Sequence, residues 1–206
     1  MKIGLISDIH GDPLSLELAW SHLKVLGADR ILCAGDLVGY GPFHDRAVAF
    51  VESRKIEAIR GNHDRWAINR GPGKRDDFGG GATTLKTITT LSSLPTELEM
   101  IVSGRKLMVF HGSPISDMEY VRRSTHGAEI LDKILDDLSA DILVVGHTHA
   151  PMCYRGPCGL VVNPGSAISL PVVRTSRTFA LLEIETMMVT IHDVETGRVL
   201  EIPSWT

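Results

Sequence analysis

The sequence lacks any apolar run long enough to cross a membrane. A spanning helix needs about 20 consecutive apolar residues, and none of the apolar stretches in the 206 residues approaches that length. The apolar start of the chain is short, carries a single lysine and is interrupted by Asp8, which suits a first buried strand better than a signal peptide. We therefore expect no membrane contact.

Cysteine is also scarce. Cys33, Cys153 and Cys158 are an odd number in a chain large enough to fold without disulfides, which predicts reduced thiols and a cytoplasmic location. Cys153 and Cys158 could be half of a metal site, but no second pair exists, so structural burial is the better interpretation.

Positive charge is not in excess. The chain has 21 basic and 25 acidic residues, a formal net charge of -4, so it has no general attraction for nucleic acid or for an anionic membrane. It contains no internal repeat or low-complexity tract, and its 43% hydrophobic and 22% charged residues are typical of a globular protein. The length predicts a single domain over residues 1–206.

The order of the predicted elements indicates an α/β fold. Strands at residues 2–7, 30–34 and 56–59 alternate with helices, one beginning at Asp12-Pro13 and one spanning His44–Ser53. Residues 65–82 are predicted to be a loop. Further on, the pattern predicts a helix at 83–91, a hairpin at 98–110, a helix after Ser124, a strand at 142–145 and mainly antiparallel strands from Met152 onward. This order predicts two packed mixed β-sheets flanked by helices, an αββα sandwich.

Polar motifs follow five of these strands. They are Asp8-Ile9-His10, Gly35-Asp36, Gly61-Asn62-His63-Asp64, His111-Gly112 and Gly146-His147-Thr148-His149. Ligands bind at the carboxyl ends of strands in open α/β sheets, so we expect the five motifs to meet at one rim. Any one motif alone would more often be a turn or a helix cap.

Taken together, the motifs supply three oxygen donors, four imidazoles and no thiolate, a set that suits Mn²⁺, Fe, Co²⁺, Ni²⁺ or Zn²⁺. Seven ligands fit two ions better than one. The candidate metal ligands are Asp8, His10, Asp36, Asn62, His111, His147 and His149. The glycines at positions 35, 61, 112 and 146 would let the backbone approach a crowded site closely.

The five motifs, in this order, resemble the sequence blocks of the calcineurin-like metallophosphoesterase superfamily. Asn163-Pro164-Gly165-Ser166 also resembles the segment that follows the last block in its small, capless phosphodiesterases. The resemblance implies two divalent ions, with manganese expected first. It implies that Asp36 bridges the ions, that Asp8, His10 and His149 bind one, and that Asn62, His111 and His147 bind the other.

The resemblance also implies a reaction. A water or hydroxide held by the ions would attack phosphorus in line, and His63 would face the substrate as a catalytic residue, with Asp64 as its candidate partner. Phosphoprotein phosphatases and symmetric dinucleoside-tetraphosphate hydrolases of this superfamily carry Asp-Arg where this sequence has Gly39-Tyr40. This difference favours a phosphodiesterase acting on small phosphodiesters or nucleotides over a phosphomonoesterase.

Two alternatives remain open at this stage: a non-enzymatic scaffold of the same fold, like a retromer subunit, and a nuclease. The nuclease would need a wider basic groove than the net charge suggests. Between residues 60 and 75 the basic side chains could hold a phosphate or form a solvated surface, and Tyr40, Phe43 and Trp66 could stack a base or simply pack. We expect a small phosphate ester as partner, no nucleic acid, and no required oligomer, although an exposed C-terminal strand edge could pair two subunits.

Overall fold

The structure, a computed structural model, describes residues 1–168 and 177–202. Its helices are α1 (Pro13–Val25), α2 (His44–Ser53), α3 (Asn62–Arg70), α4 (Leu85–Ser93) and α5 (Ala128–Leu138). Its strands are β1 (Lys2–Ile6), β2 (Arg30–Cys33), β3 (Glu57–Ala58), β4 (Glu97–Val102), β5 (Arg105–Phe110), β6 (Ile142–Val144), β7 (Met152–Gly156), β8 (Gly159–Asn163), β9 (Thr178–Glu183), β10 (Met188–Asp193) and β11 (Val199–Leu200).

The strands form two mixed sheets. The first has the order β11-β10-β9-β1-β2-β3, and β1, β2 and β3 run parallel. The second has the order β4-β5-β6-β8-β7, and β5, β6 and β8 run parallel. Pairing after Met152 is mainly antiparallel, as predicted, with the β6–β8 pair as the exception. The predicted αββα sandwich is confirmed.

Alternation of side chains along the strands builds the core in layers. In β5, Leu107 and Val109 point between the two sheets, while Met108 and Phe110 point to the helix on the outer face. The inner layer joins β1 and β2 of one sheet to β5, β6 and β8 of the other. Helices α1, α2 and α4 cover the first sheet, and α5 covers the second.

The prediction of a loop over residues 65–82 was wrong in its first part, because residues 65–70 belong to α3. The buried face of α3 consists of Asn62, His63, Asp64 and Ala67. A helix that buries polar side chains shows no apolar stripe, and that stripe was the signal used for the other helices. Residues 71–84 have no helix or strand, apart from one bridge between Arg75 and Ala82.

Two further expectations concern the whole chain. In the part that the structure describes, no helix is long and apolar enough to span a bilayer. All three cysteines are free, but the expected burial was wrong for Cys158, which is exposed, and Cys153 is only partly buried. The single domain over residues 1–206 stays a prediction, and residues 169–176 and 203–206 of it lie outside the described part.

Candidate active site

The first group of predicted ligands lies at the carboxyl end of β1 and in the loop after β6. The Nε2 atoms of His10 and His149 are 3.0 Å apart, and Oδ1 of Asp8 lies 3.3 Å from His149 Nε2 and 3.7 Å from His10 Nε2. One ligand atom from each residue therefore lies close enough to share a cation.

The second group lies at the ends of β2, β3, β5 and β6. Nε2 of His111 is 3.2 Å from Oδ2 of Asp36 and 2.9 Å from Oδ1 of Asn62. Asp36, His111 and His147 form a cluster of potential ligand atoms, and Oδ2 of Asp36 is also 3.8 Å from His10 Nε2 in the first group. All seven predicted ligands are thus brought together, with Asp36 between the two groups.

The donor atoms of this cluster fit a metal site. Oδ1 of Asp8, Oδ2 of Asp36 and Nε2 of His147 are buried and have no hydrogen-bond partner among the described residues. Buried polar atoms are normally paired, so three unpaired atoms within the two groups of predicted ligands fit a cation as their partner. Nδ1 of His111 donates to the carbonyl of Ala34 at 2.7 Å, and this bond orients the ring so that its Nε2 faces Asp36 and Asn62.

The electrostatics of the site also favour cations. Burial by itself would raise the pKa of Asp36, but the charges of His111 and His10 lower it to about 2. Burial would also raise the pKa of Asp8, but His149 and His10 hold that pKa well below its usual range. Two carboxylates that stay ionised while almost completely buried require positive charge next to them.

The backbone at the site is strained in a consistent way. Five predicted ligands have positive φ: Asp8 at 53°, His10 at 49°, Asp36 at 56°, His147 at 64° and His149 at 57°. Such φ values are uncommon outside glycine, and residues held in them cluster at functional sites.

Helix α3 connects the two groups of ligands. Its backbone begins at the carboxyl end of β3, and the N–H of His63 in its first turn donates to Oδ1 of Asp36 at 2.8 Å. The carboxylate of Asp64 accepts from the N–H of Gly61 at 2.9 Å and from the N–H of Val38 at 3.1 Å. Asp64 therefore caps α3 and binds the loop after β2, which makes it a positioning residue for His63 and Asp36.

Gly61 offers a direct test of this packing. A Cβ at Gly61 would lie 2.1 Å from Oδ1 of Asp36, so we expect Gly61→Ala to displace the Asp36 carboxylate, abolish metal binding and destabilise the fold by about 1–3 kcal/mol through overpacking. Metal content by elemental analysis and the thermal midpoint measure both effects.

Gly127→Ala is the matched control for that variant. Gly127 precedes α5 as Gly61 precedes α3, and a Cβ there would meet nothing within 4 Å. Normal metal content in the Gly61→Ala variant would show that the close approach of the Gly61 backbone to Asp36 is not needed for metal binding.

His63 lies beside the ligands inside a group of aromatic rings. Its ring centroid is 4.8 Å from that of His10, 4.7 Å from Tyr40, 4.7 Å from Trp66 and 5.1 Å from Phe78. The side chain is only 4% exposed, and burial lowers its pKa to about 4. Of the aromatic residues singled out in the sequence, Tyr40 and Trp66 thus reach His63, whereas Phe43 stacks with Arg46 on α2.

Several residues outside the five motifs support the ligands. The amide of Asn163 donates to the carbonyl of Gly146 at 2.8 Å, and the hydroxyl of Ser166 donates to the carbonyl of Asp8 at 2.8 Å. Through these two contacts the segment 163–166 holds the loop after β1 and the loop after β6, which carry ligands of the first group. The ring of Tyr120 stacks on His147 at 4.4 Å, which no sequence pattern predicted.

The basic residues between positions 60 and 75 are partly neutralised. Arg65 makes two hydrogen bonds to Asp117, at 2.7 Å and 2.9 Å, and Arg70 contacts Asp76 at 3.1 Å and Asp77 at 2.7 Å. Nε of Arg60 is buried and has no partner among the described residues. His44, a histidine outside the five motifs, is buried, and its Nε2 lies 3.1 Å from the N–H of Gly39, so it supports the loop after β2.

Comparison with known proteins identifies the class. The sequence model of the calcineurin-like phosphoesterase superfamily domain matches residues 1–187. The chain belongs to this superfamily, which confirms the resemblance seen in the five motifs. A protein from Methanocaldococcus jannaschii, named only as uncharacterized MJ0912, is 27% identical in an alignment of 175 residues that covers 79% of this chain and 68% of that protein.

Solved structures show the same fold. A metallophosphoesterase from Sphaerobacter thermophilus is 26% identical, with a TM-score of 0.72 over 95% of this chain and 89% of the other. The hypothetical protein PH1004 from Pyrococcus horikoshii is 21% identical, with a TM-score of 0.77 over 94% of this chain and 88% of the other. The strand order and layers described above are therefore those of metallophosphoesterases.

Proposed function

We propose that this protein is a phosphodiesterase that hydrolyses small phosphodiesters with two divalent metal ions, manganese being the first candidate. The observation that carries the proposal is the position of Asp36. Its Oδ2 is buried, has no hydrogen-bond partner among the described residues, and lies between His111 at 3.2 Å and His10 at 3.8 Å. A carboxylate placed in this way can serve two ions at once.

The chain's own residues divide into three roles. Asp8, His10 and His149 would hold one ion, and Asn62, His111 and His147 the other, with Asp36 shared. Ions bound there would lower the pKa of a water and neutralise the phosphoryl oxygens. His63, next to both groups, would donate a proton or a hydrogen bond to the substrate, and Asp64 keeps it in place through the backbone of α3.

The loop after β2 supports a preference for diesters. Gly39 packs against His63 so closely that a Cβ would lie 2.4 Å from its Nδ1, and Tyr40 presents a ring rather than a guanidinium to the site. Arg65 and Arg70, the arginines of α3, are already bound to carboxylates. A singly charged diester needs less positive charge around it than a doubly charged monoester, and it presents a second ester group for the rings to contact.

Hydrolysis of bis(4-nitrophenyl) phosphate beside 4-nitrophenyl phosphate tests this function. We expect the diester to be turned over faster with Mn²⁺, and chelation to lower the rate by at least about 10²-fold, since bound ions supply several kcal/mol of charge stabilisation. Readdition of Mn²⁺ should restore the rate, and elemental analysis should find two ions per chain.

Three results would contradict parts of the proposal. Faster turnover of the monoester would reject the diester preference, and turnover that survives chelation would reject the role of the metals. Two bound ions with no turnover of either ester would support a scaffold protein.

A further inference from the structure

The rings around His63 continue outward from the metal ligands to the protein surface. Tyr40 lies 5.4 Å from Phe78, and Trp66 and Phe78 stack at 5.6 Å with an angle of 26° between their planes. Phe78 is 50% exposed, an unusual position for a phenylalanine that also contacts a buried histidine. We call Tyr40, Trp66 and Phe78 the aromatic platform.

The loop that carries Phe78 is held firmly against the site. Oδ2 of Asp76 accepts the N–H of Tyr40 at 2.9 Å, while its Oδ1 accepts from Arg70 at 3.1 Å, and the side chain of Asp76 is fully buried. The N–H of Gly81 donates to the carbonyl of Gly41 at 3.0 Å. A Cβ at Gly81 would lie 2.4 Å from the carbonyl oxygen of Pro42, so this contact needs glycine. These contacts anchor the loop on both sides of Phe78.

Polar groups surround the outer end of the platform. Trp66, Asn69, Arg70, Asp77 and Phe78 line an open pocket of about 360 Å³. The amide of Asn69 is exposed, and no hydrogen bond holds it among the described residues, whereas Arg70 and Asp77 are paired with each other. A flat apolar surface edged by a free amide is suited to a planar heterocycle that stacks and also forms hydrogen bonds.

We infer that the aromatic platform binds the base of a nucleotide ester, with Phe78 as the residue that sets this specificity. The inference rests on the proposed function, because it places the phosphate at the metal ligands and the base on the adjoining rings. Aryl or alkyl diesters without a base would still reach the metal site but would lack the stacking contact. Stacking on aromatic side chains increases the affinity of a nucleotide whichever base it carries, because every base has a planar π face.

Competitive inhibition of bis(4-nitrophenyl) phosphate hydrolysis by AMP and by ribose 5-phosphate tests the inference, since the two inhibitors differ only in the base. We expect AMP to bind the wild-type protein about 10-fold more tightly, within the range known for stacking of one base. In Phe78→Leu this ratio should fall to about 2 or less, with ribose 5-phosphate unaffected.

Phe43→Leu is the matched control, because Phe43 is 46% exposed and lies outside the platform. Its ratio should equal that of the wild type. Equal inhibition of the wild type by AMP and ribose 5-phosphate, in a protein that hydrolyses the diester, would overturn the inference and leave the proposed function intact. If the protein hydrolyses nothing, calorimetric titration with the same two compounds decides the point: tighter binding of AMP that is lost in Phe78→Leu supports the platform, and equal binding rejects it.

Discussion

Asp36→Asn lowers diester hydrolysis by about 10³-fold or more, because it removes the carboxylate that both ions would share. The substitution changes little else. Asn keeps an oxygen that can accept the N–H of His63, the 2.8 Å bond made by Oδ1 in the wild type. It replaces Oδ2, the atom that faces His111 and His10, with an NH₂ group that cannot bind a cation.

Thermal unfolding separates a loss of metal from a loss of fold. Saturating Mn²⁺ should raise the midpoint of the wild-type protein, because an ion that binds only the folded state adds about 2.7 kcal/mol at a hundredfold excess over its Kd. The Asp36→Asn protein should fold without metal and show much less of this increase. Elemental analysis should find fewer than two ions per chain.

Asp141→Asn is the control for the same chemical change. Asp141 directly precedes β6, and its Oδ2 accepts the N–H of Lys106 in β5 at 2.8 Å. This carboxylate therefore also supports the backbone, but it does not contact the metal ligands. Hydrolysis should remain close to the wild-type rate. Full activity in the Asp36 variant would reject the shared carboxylate and, with it, the two-ion proposal.

Much of the fold was predictable because its elements carry simple periodic signals. Helix α2 was predicted with its observed limits, His44–Ser53, since Ala47, Val48 and Val51 repeat at helical spacing and are all buried. Strands β5 and β6 carry continuous apolar runs, as expected for strands buried on both faces between a sheet and a helix. The order of these elements was enough to predict the layers.

The convergence of the seven predicted ligands was predictable for a different reason. Parallel strands bring their carboxyl ends to one edge, so motifs far apart in the sequence meet in the structure. The close approach of the two sheets at this edge needs glycine at position 146, where a Cβ would lie 2.1 Å from the hydroxyl of Ser7. Here the chemical type of each residue and its place after a strand carried enough information.

What the sequence did not reveal depends on contacts between loops. Phe78 contacts His63 only because Asp76 binds the backbone of Tyr40 and glycines 80 and 81 allow the loop to pack on residues 41 and 42. Tyr120 reaches His147 from a segment without helix or strand. Neither contact follows from a local period or a propensity, since each is set by how a loop folds back onto the sheets.

His63→Ala lowers diester hydrolysis by about 10²–10⁴-fold while both ions stay bound, as expected for the loss of a side chain that donates a hydrogen bond or a proton to the substrate. His63 contacts the ligand set through its backbone N–H, by its ring against His10, and with a ring nitrogen within 4.8 Å of ligand atoms of His10 and Asp36. It is not one of the seven predicted ligands, and these remain complete in the variant. The effect should fall mainly on kcat, with KM little changed, because the interaction is strongest when charge develops on the leaving oxygen.

Metal content and a second histidine distinguish this role from a structural one. His22, on α1, also stacks on an aromatic ring, with its centroid 5.9 Å from that of Phe179, but it lies outside the five motifs. His22→Ala should keep a normal kcat even if the protein becomes less stable. If His63→Ala loses its ions as well as its activity, His63 supports the metal site and the proton donor must be sought elsewhere. If it keeps two ions and full activity, His63 has no part in the reaction.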